Sequence, residues 1–267
     1  GLLSIKNKDV ELKLNQVVTD GRIHLLIPLK SGKGKKELKR VIKEVLESIG
    51  KLVEEPTSIH PERLVGKTIK HTKKGETVYE NIPGDFNGDY LIFDEGRTLL
   101  TSNELLYTES RKYLRLALDP YPHNKITKRA VDINHENALE YTPYMGCCIF
   151  TQPHYFEEDF ATDGDLRRFL VPYVNMSGID RTEAYKSRVL EINSSDDSVN
   201  SFIQFMRSLN PANNYNITTE GKVEFLNVFD ILVKRGFSYS KKVRNFVDLY
   251  DFTIQDILLK MSYVQAL

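Results

Sequence analysis

Short, solid apolar runs alternate along the chain with polar stretches, and two different periods separate its elements. Ile23 to Leu29, Leu91 to Phe93 and Met145 to Phe150 are near-continuous apolar runs bounded by turn-forming residues. Such runs suit strands buried on both faces of a parallel sheet. A further apolar stretch follows Arg167 and Arg168. Helical spacing occurs at 36–50, with Leu38, Val41, Ile42 and Val45 on one side, and Gly50 ends that helix. It recurs at 103–118, with Leu106, Tyr113, Leu114 and Leu118 on one side. Residues 2–20 alternate weakly and predict one or two short strands at the domain edge. Residues 51–83 are polar and basic, interrupted by Pro56, Pro61, Gly66, Gly75 and Pro83. They predict loop, a short helix from Pro61 and a hairpin around Gly75.

From Asp196 onward the character changes. Apolar residues recur at helical spacing in 198–209, 222–235, 240–250 and 252–266, with breaks at Pro211, Asn213–Asn214 and Gly236. The expected organisation is an α/β core with a mostly parallel sheet over 1–178. An all-helical lid or accessory segment over 179–267 completes it.

A length of 267 residues, 40% of them hydrophobic, suits one α/β domain with a helical appendage. Lys plus Arg and Asp plus Glu both number 37, so any nucleic-acid contact must come from local patches. Cys147 and Cys148 are adjacent within an apolar run, which reads as core of a reduced intracellular protein, neither disulfide framework nor metal site. No signal peptide and no apolar run of membrane-spanning length is present, so a cytoplasmic, non-membrane protein is expected. The chain opens at Gly1 and stops just after an apolar helical stretch, as a piece of a longer protein would.

The candidate chemistry lies where the runs end. The apolar run to Leu29 passes into Ser31-Gly32-Lys33-Gly34-Lys35-Lys36 and then into a helix. Strand, glycine loop and helix are the setting of a phosphate-binding loop. Glycines let several N–H groups turn toward one anion, and the helix N-terminus adds partial positive charge. With Gly34-Lys35 as the glycine–lysine pair, Lys35 reaches the terminal phosphates. Leu29 then stands at the first glycine position, and Lys36 replaces the hydroxyl residue that ligates Mg²⁺. The other register, through Gly32-Lys33, is less favoured, because only the first places Leu38 toward the core in the first helical turn. The Leu91–Phe93 run ends in Asp94-Glu95, where a strand tip carries two acids into a ligand crevice. Asp94 suits Mg²⁺ and Glu95 suits polarising a water. The run to Phe150 ends in Thr151-Gln152, polar groups able to orient that water. His123, Lys125, Lys128 and Arg129 cluster in a loop or hairpin suited to phosphate-backbone contact. Each feature also has a plainer reading. The loop would be a basic turn, the acids a strand entering a polar turn, Thr151-Gln152 a polar strand cap, the cluster a solvated hairpin, and one or both of Arg167 and Arg168 ion-pair partners of Asp163 or Asp165.

Taken together, these residues resemble the P-loop ATPase domains of replicative helicases and primase-helicases of plasmids and viruses. A more distant likeness is to the AAA+ group that includes the minichromosome maintenance helicases. The resemblance covers about residues 22–175 and rests on SGKGKKEL, YLIFDE, CCIFTQP and GDLRRFLV, in the family's order. It implies ATP and Mg²⁺ as ligands, with Lys35 on the β/γ-phosphates, Asp94 on the metal and Glu95 as base. Gln152 or Thr151 would be the sensor, and Arg167 or Arg168 an arginine given in trans. Lys125, Lys128 and Arg129 would contact DNA, expected single-stranded, within a homo-oligomer, a hexameric ring being one form it could take. Lys36 departs from the pattern, so hydrolysis could be slow or lost while binding survives. A scaffold with little hydrolysis is the alternative. A small-molecule kinase would call for a lid arginine cluster and an acceptor pocket, neither evident in the sequence.

Overall fold

The computed structural model describes residues 11–14, 17–29, 32, 34–73, 75–101, 104–120, 123–128, 138–152, 168–170, 194–209, 214–216, 218–224 and 226–227. The chain enters through an antiparallel pair, β1 (Glu11–Leu14) and β2 (Val17–Asp20). It runs on through β3 (His24–Pro28), α1 (Lys35–Ser48), β4 (Val53–Glu54) and α2 (Pro61–Leu64). A long hairpin follows, β5 (Gly66–Lys73) and β6 (Glu76–Pro83), then β7 (Tyr90–Phe93), α3 (Arg97–Thr101) and α4 (Leu105–Leu118). Next come β8 (Ile126–Lys128), β9 (Leu139–Tyr141), β10 (Gly146–Thr151) and β11 (Phe169–Leu170). Then come α5 (Ser194–Ser208) and β12 (Asn214–Asn216), and residues 219–224 are helical again.

The central sheet has five strands, all parallel, in the order β11–β3–β10–β7–β4. The three apolar runs are its three inner strands, and the sheet is covered on both sides. Leu26, Leu91, Phe93, Cys147 and Ile149 pack with Leu99, Leu100, Leu114 and Ala117 of α3 and α4. Ile27, Tyr90, Ile92, Cys148 and Phe150 pack with Leu38, Ile42 and Leu46 of α1. Successive strand residues face opposite sides, so burial on both sides demands apolar residues without a break. Cys147 and Cys148 therefore serve different halves of the core. Both are free and buried, and burial pushes their thiols up, Cys148 to about 12. The α/β reading is confirmed.

The amino ends of the strands are tied by one buried side chain. Arg22 donates to both oxygens of Asp20 through its backbone N–H and guanidinium, at 2.8–3.0 Å. Its remaining N–H groups reach the carbonyls of Ala117, Met145 and Asp119 at 3.1, 3.3 and 2.6 Å. All five guanidinium donors are thus used, as a buried arginine requires. Close by, Asn124 is buried, and its amide donates to Ala117 O (3.2 Å) and Pro143 O (2.6 Å). It bridges the chain entering the β8–β9 pair and the chain leaving it.

Two hairpins meet at one base. The expected hairpin around Gly75 is β5–β6, paired over its full length, and the short helix from Pro61 is α2. Gly66 opens β5 with φ +108°, and a Cβ there would lie 2.3 Å from Ile82 O and 2.9 Å from Leu139 Cδ2. Only glycine allows both that backbone region and that approach of β9. Tyr141 of β9 donates to Val65 O at 2.9 Å.

The carboxyl side differs from expectation. α5 matches the spacing at 198–209, buries Ile203 and Met206, and docks on α1 with Arg207 donating to Ser48 O at 2.9 and 3.2 Å. The stretch is not all-helical, however, because Asn214–Asn216 is a strand paired in parallel with β1. A free sheet edge offers unpaired N–H and C=O groups, and this extended segment takes one of them up. The expected helices at 240–250 and 252–266 lie outside the described residues, as does most of 222–235. Among the described residues, no helix is long and apolar enough to cross a membrane.

Candidate functional site

In a parallel sheet every carboxyl end points the same way, so the turns after β3, β7 and β10 lie side by side. After β3, pairing continues for one more residue, Leu29 N donating to Thr151 O at 2.8 Å. Gly32 and Gly34 take left-handed conformations (φ +76° and +81°) that glycine alone adopts cheaply. Gly34 is the N-cap of α1 and brings no capping side chain, so the helix opens directly at Lys35. This favours Gly34-Lys35 over Gly32-Lys33 as the glycine–lysine pair. Ser31 and Lys33 lie outside the described residues. Lys36 is exposed in the second helical position, and Glu37 beside it is paired with Arg40 at 2.6 Å.

Lys35 points across to the acid-bearing turn. Its Nζ donates to Asp94 O at 2.9 Å and stands 3.7 Å from Asp94 Oδ1 and 3.6 Å from Glu95 Oε2. The face alternation of β7 explains the geometry. Leu91 and Phe93 face α3 and α4 while Ile92 faces α1, so Asp94 falls on the α1 side. Both carboxylates are about half exposed, and Lys35 is one-third exposed. Ion pairs this open contribute about 0–1 kcal/mol. Stability is thus a poor explanation for one lysine facing two adjacent acids at the sheet's carboxyl edge.

The tip of β10 lies between these two elements. The acid turn crosses it closely, with Gly96 N donating to Phe150 O at 2.8 Å. Thr151 is buried, and its hydroxyl has no hydrogen-bond partner among the described protein groups. Alternation along β10 assigns Thr151 to the α3–α4 face. Carried one residue further, it assigns Gln152 to the face of Asp94 and α1. Gln152 is half-buried and is the better of the two for reaching a group held between Lys35 and Asp94.

Sequence reasoning missed a second layer of charge. Lys39, one turn after Lys35, pairs with Glu55 at 2.7 Å and stands 4.0 Å from Asp94 Oδ1. Lys43 also pairs with Glu55 at 2.7 Å. The Lys39 hydrogen bond, with that from Lys43, holds the Glu55 carboxyl below its ordinary range, and Glu55 raises Lys43 in turn. Lys39 and Glu55 border a cleft of about 600 Å³ that opens beside Asp94 and Glu95, with Thr57, His60, Thr98 and Tyr107 on its walls. The i, i+4 spacing of Lys35, Lys39 and Lys43 was the available signal, but nothing local tied it to Glu55.

The donor set suits a metal held mainly by a ligand. Among the described residues no three His, Cys, Asp or Glu side chains converge as an all-protein cage would need. Mg²⁺ usually takes one or two carboxylates plus phosphate oxygens and waters, and the half-exposed Asp94 opposite a phosphate-type loop fits that pattern.

The remaining candidates lie elsewhere. Arg168 is largely buried, and its guanidinium donates to Asp119 Oδ1 at 2.8 and 2.6 Å. The expected partners were Asp163 or Asp165, which lie outside the described residues, as does Arg167. Asp119 sits at the amino end of the sheet, one β3 length from the loop, about 16 Å for five residues. Arg168 therefore stands apart from its own chain's Lys35 and Asp94. The basic cluster does include an antiparallel pair, β8 with β9. Lys125 is exposed and paired with Glu140. Lys128 donates to Gly66 O at 3.2 Å, and its partial burial lowers its pKa, so it acts as a joint between the two hairpins. Arg129 lies outside the described residues. The β5–β6 ribbon leaves Lys67, Lys70 and Lys73 exposed, in keeping with the polar, basic character of 51–83.

Compared with protein-family profiles and with curated proteins, the chain matches neither.

Proposed function

We propose that this protein is an ATP-dependent motor acting on DNA, of the replicative-helicase type its motifs resemble. The observation that carries the reading is the convergence of Lys35 with Asp94 and Glu95 at the carboxyl edge, with the β10 tip between them. In this reading the N–H groups opening α1 and the Lys35 ammonium hold the β- and γ-phosphates. Asp94 holds Mg²⁺, which supplies neutralising charge to the phosphate oxygens. Glu95 accepts the proton of the attacking water, and Gln152 orients that water. Lys35 must leave the two acids when phosphate arrives, and that exchange frees both carboxylates for metal and water.

In this reading the protein works as a ring, although Arg168 itself is engaged with Asp119 of its own chain. With Arg168 taken up by Asp119, Arg167 is the arginine proposed to act in trans. DNA contact falls to the paired hairpins, with Lys125 and Arg129 toward phosphate and Lys128 holding the two together. Replacing Lys125, Lys128 and Arg129 together should weaken single-stranded DNA binding and flatten its dependence on salt by about one unit of log–log slope per lost phosphate contact. Fluorescence anisotropy at several salt concentrations measures both. Unchanged affinity returns the β8–β9 pair to an ordinary solvated hairpin.

Lys36 favours a second reading, a scaffold that binds nucleotide or DNA with little hydrolysis, since no hydroxyl follows Lys35 to help hold the metal. ATP turnover with Mg²⁺, with and without single-stranded DNA, separates the two. A motor gives DNA-stimulated turnover that Glu95→Gln lowers by about 10²–10⁴-fold while nucleotide still binds. Binding without turnover in the unaltered protein establishes the scaffold.

A further inference from the structure

Lys39 follows Lys35 by one helical turn, so both ammonium groups leave α1 on the same side. Its Nζ lies 2.7 Å from Glu55 Oε2 and 4.0 Å from Asp94 Oδ1, and Lys35 Nζ lies 3.7 Å from that same oxygen. One carboxylate oxygen thus has two cations within reach. The two are held differently. Among the described residues Lys35 pairs only with the acid turn, and a phosphate would draw it away. Lys39 is anchored by Glu55, which Lys43 braces from the other side at 2.7 Å. A positive charge therefore stays beside Asp94 whether or not the loop is filled. It lies next to a loop in which Lys36 has taken the place of the metal-holding hydroxyl.

Resting on the reading of Lys35 and Asp94 as a nucleotide and Mg²⁺ site, we propose that Lys39 is a resident cation of that site, tethered by Glu55, that carries part of the charge otherwise left to the metal. It supports nucleotide bound without Mg²⁺ and opposes Mg²⁺ at Asp94. Because linkage between two ligands is reciprocal, both effects appear in one quantity, the ratio of nucleotide Kd in chelator to nucleotide Kd in excess Mg²⁺.

Binding of a fluorescent ATP analogue under the two conditions reads that ratio without any need for turnover. Lys39→Met should raise it roughly fivefold or more, the order expected when one charge is removed a few ångströms from another. Glu55→Gln should lower it, because the released ammonium turns toward Asp94 and the phosphates. Lys43→Met removes the other half of the Glu55 pairing without approaching Asp94, and should leave the ratio unchanged. Lys39→Gln serves if the methionine variant fails to fold, which a melting curve shows. An unchanged ratio in a Lys39 variant that still binds nucleotide overturns the inference. So does a Lys43→Met shift as large as that of Lys39→Met, which would make the effect one of general helix charge. Failure of the unaltered protein to bind nucleotide in either condition removes the site itself, a different result from a site whose metal dependence ignores Lys39.

Discussion

Lys35→Ala is expected to lower nucleotide affinity by a factor on the order of 100, enough to abolish binding at micromolar concentrations. A hydrogen bond from a charged donor to a charged acceptor contributes about 1.5–3 kcal/mol, and Lys35 would make more than one to the phosphates. The fold should scarcely notice the change. The side chain is one-third exposed and its partners are half exposed, so the lost pairing is worth at most about 1 kcal/mol. Titration with a labelled nucleotide, beside a melting curve, tests both halves. Lost binding with an unmoved melting temperature supports the site. Unchanged binding makes the loop from Gly32 to Lys36 a basic turn and nothing more.

The second large effect is expected from Gly96→Ala. A Cβ at Gly96 would lie 2.1 Å from Ile149 Cγ2 and 3.2 Å from Phe150 O. Ile149 is fully buried in the α3–α4 half of the core and has no room to swing aside. Overpacking of this kind costs about 1–3 kcal/mol. The chain's easier escape is to lift the acid turn, which stretches the 2.8 Å hydrogen bond from Gly96 N to Phe150 O and moves Glu95 with it. Misplacement of a catalytic group by about 1 Å can cost about 10²-fold in rate. The variant should melt a few degrees lower, keep nucleotide binding largely intact, and lose turnover by about that factor. Turnover equal to the unaltered protein's would show that Glu95 tolerates displacement and is not the base.

The elements legible in the sequence were those with one strong period. The buried strands β3, β7 and β10 announced themselves as unbroken apolar runs, and α1 and α4 as helical stripes. The loop was legible because glycine, lysine and helix start are neighbours in sequence, and the acids because a strand tip is read off the end of its run. What escaped was set by partners far along the chain. β4 is two residues, Val53–Glu54, too short to show a period, yet it completes the sheet edge and delivers Glu55 to Lys39. Arg22 opens an apolar run and looks like a solvated boundary residue, but three of its acceptors come from positions 117, 119 and 145. β12 failed because a strand that pairs with a distant edge needs no periodicity of its own. Lys128 looked like a free cation because its acceptor, Gly66 O, lies 62 residues upstream.

One consequence follows from Asn124. Its amide closes a ring across Ala117 and Pro143, so the segment between β8 and β9 begins and ends at a neck that is already fastened. Chain added beyond a closed neck carries only the slowly growing entropy of a longer loop, about 0.6 kcal/mol for each doubling of length. The stretch between Lys128 and Leu139 can therefore lengthen, shorten or change its charge with little penalty to the sheet that holds Lys35 and Asp94. In design terms it is an exchangeable cassette: if the β8–β9 pair contacts DNA as proposed, recoding it would change that contact while leaving Lys35 and Asp94 in place.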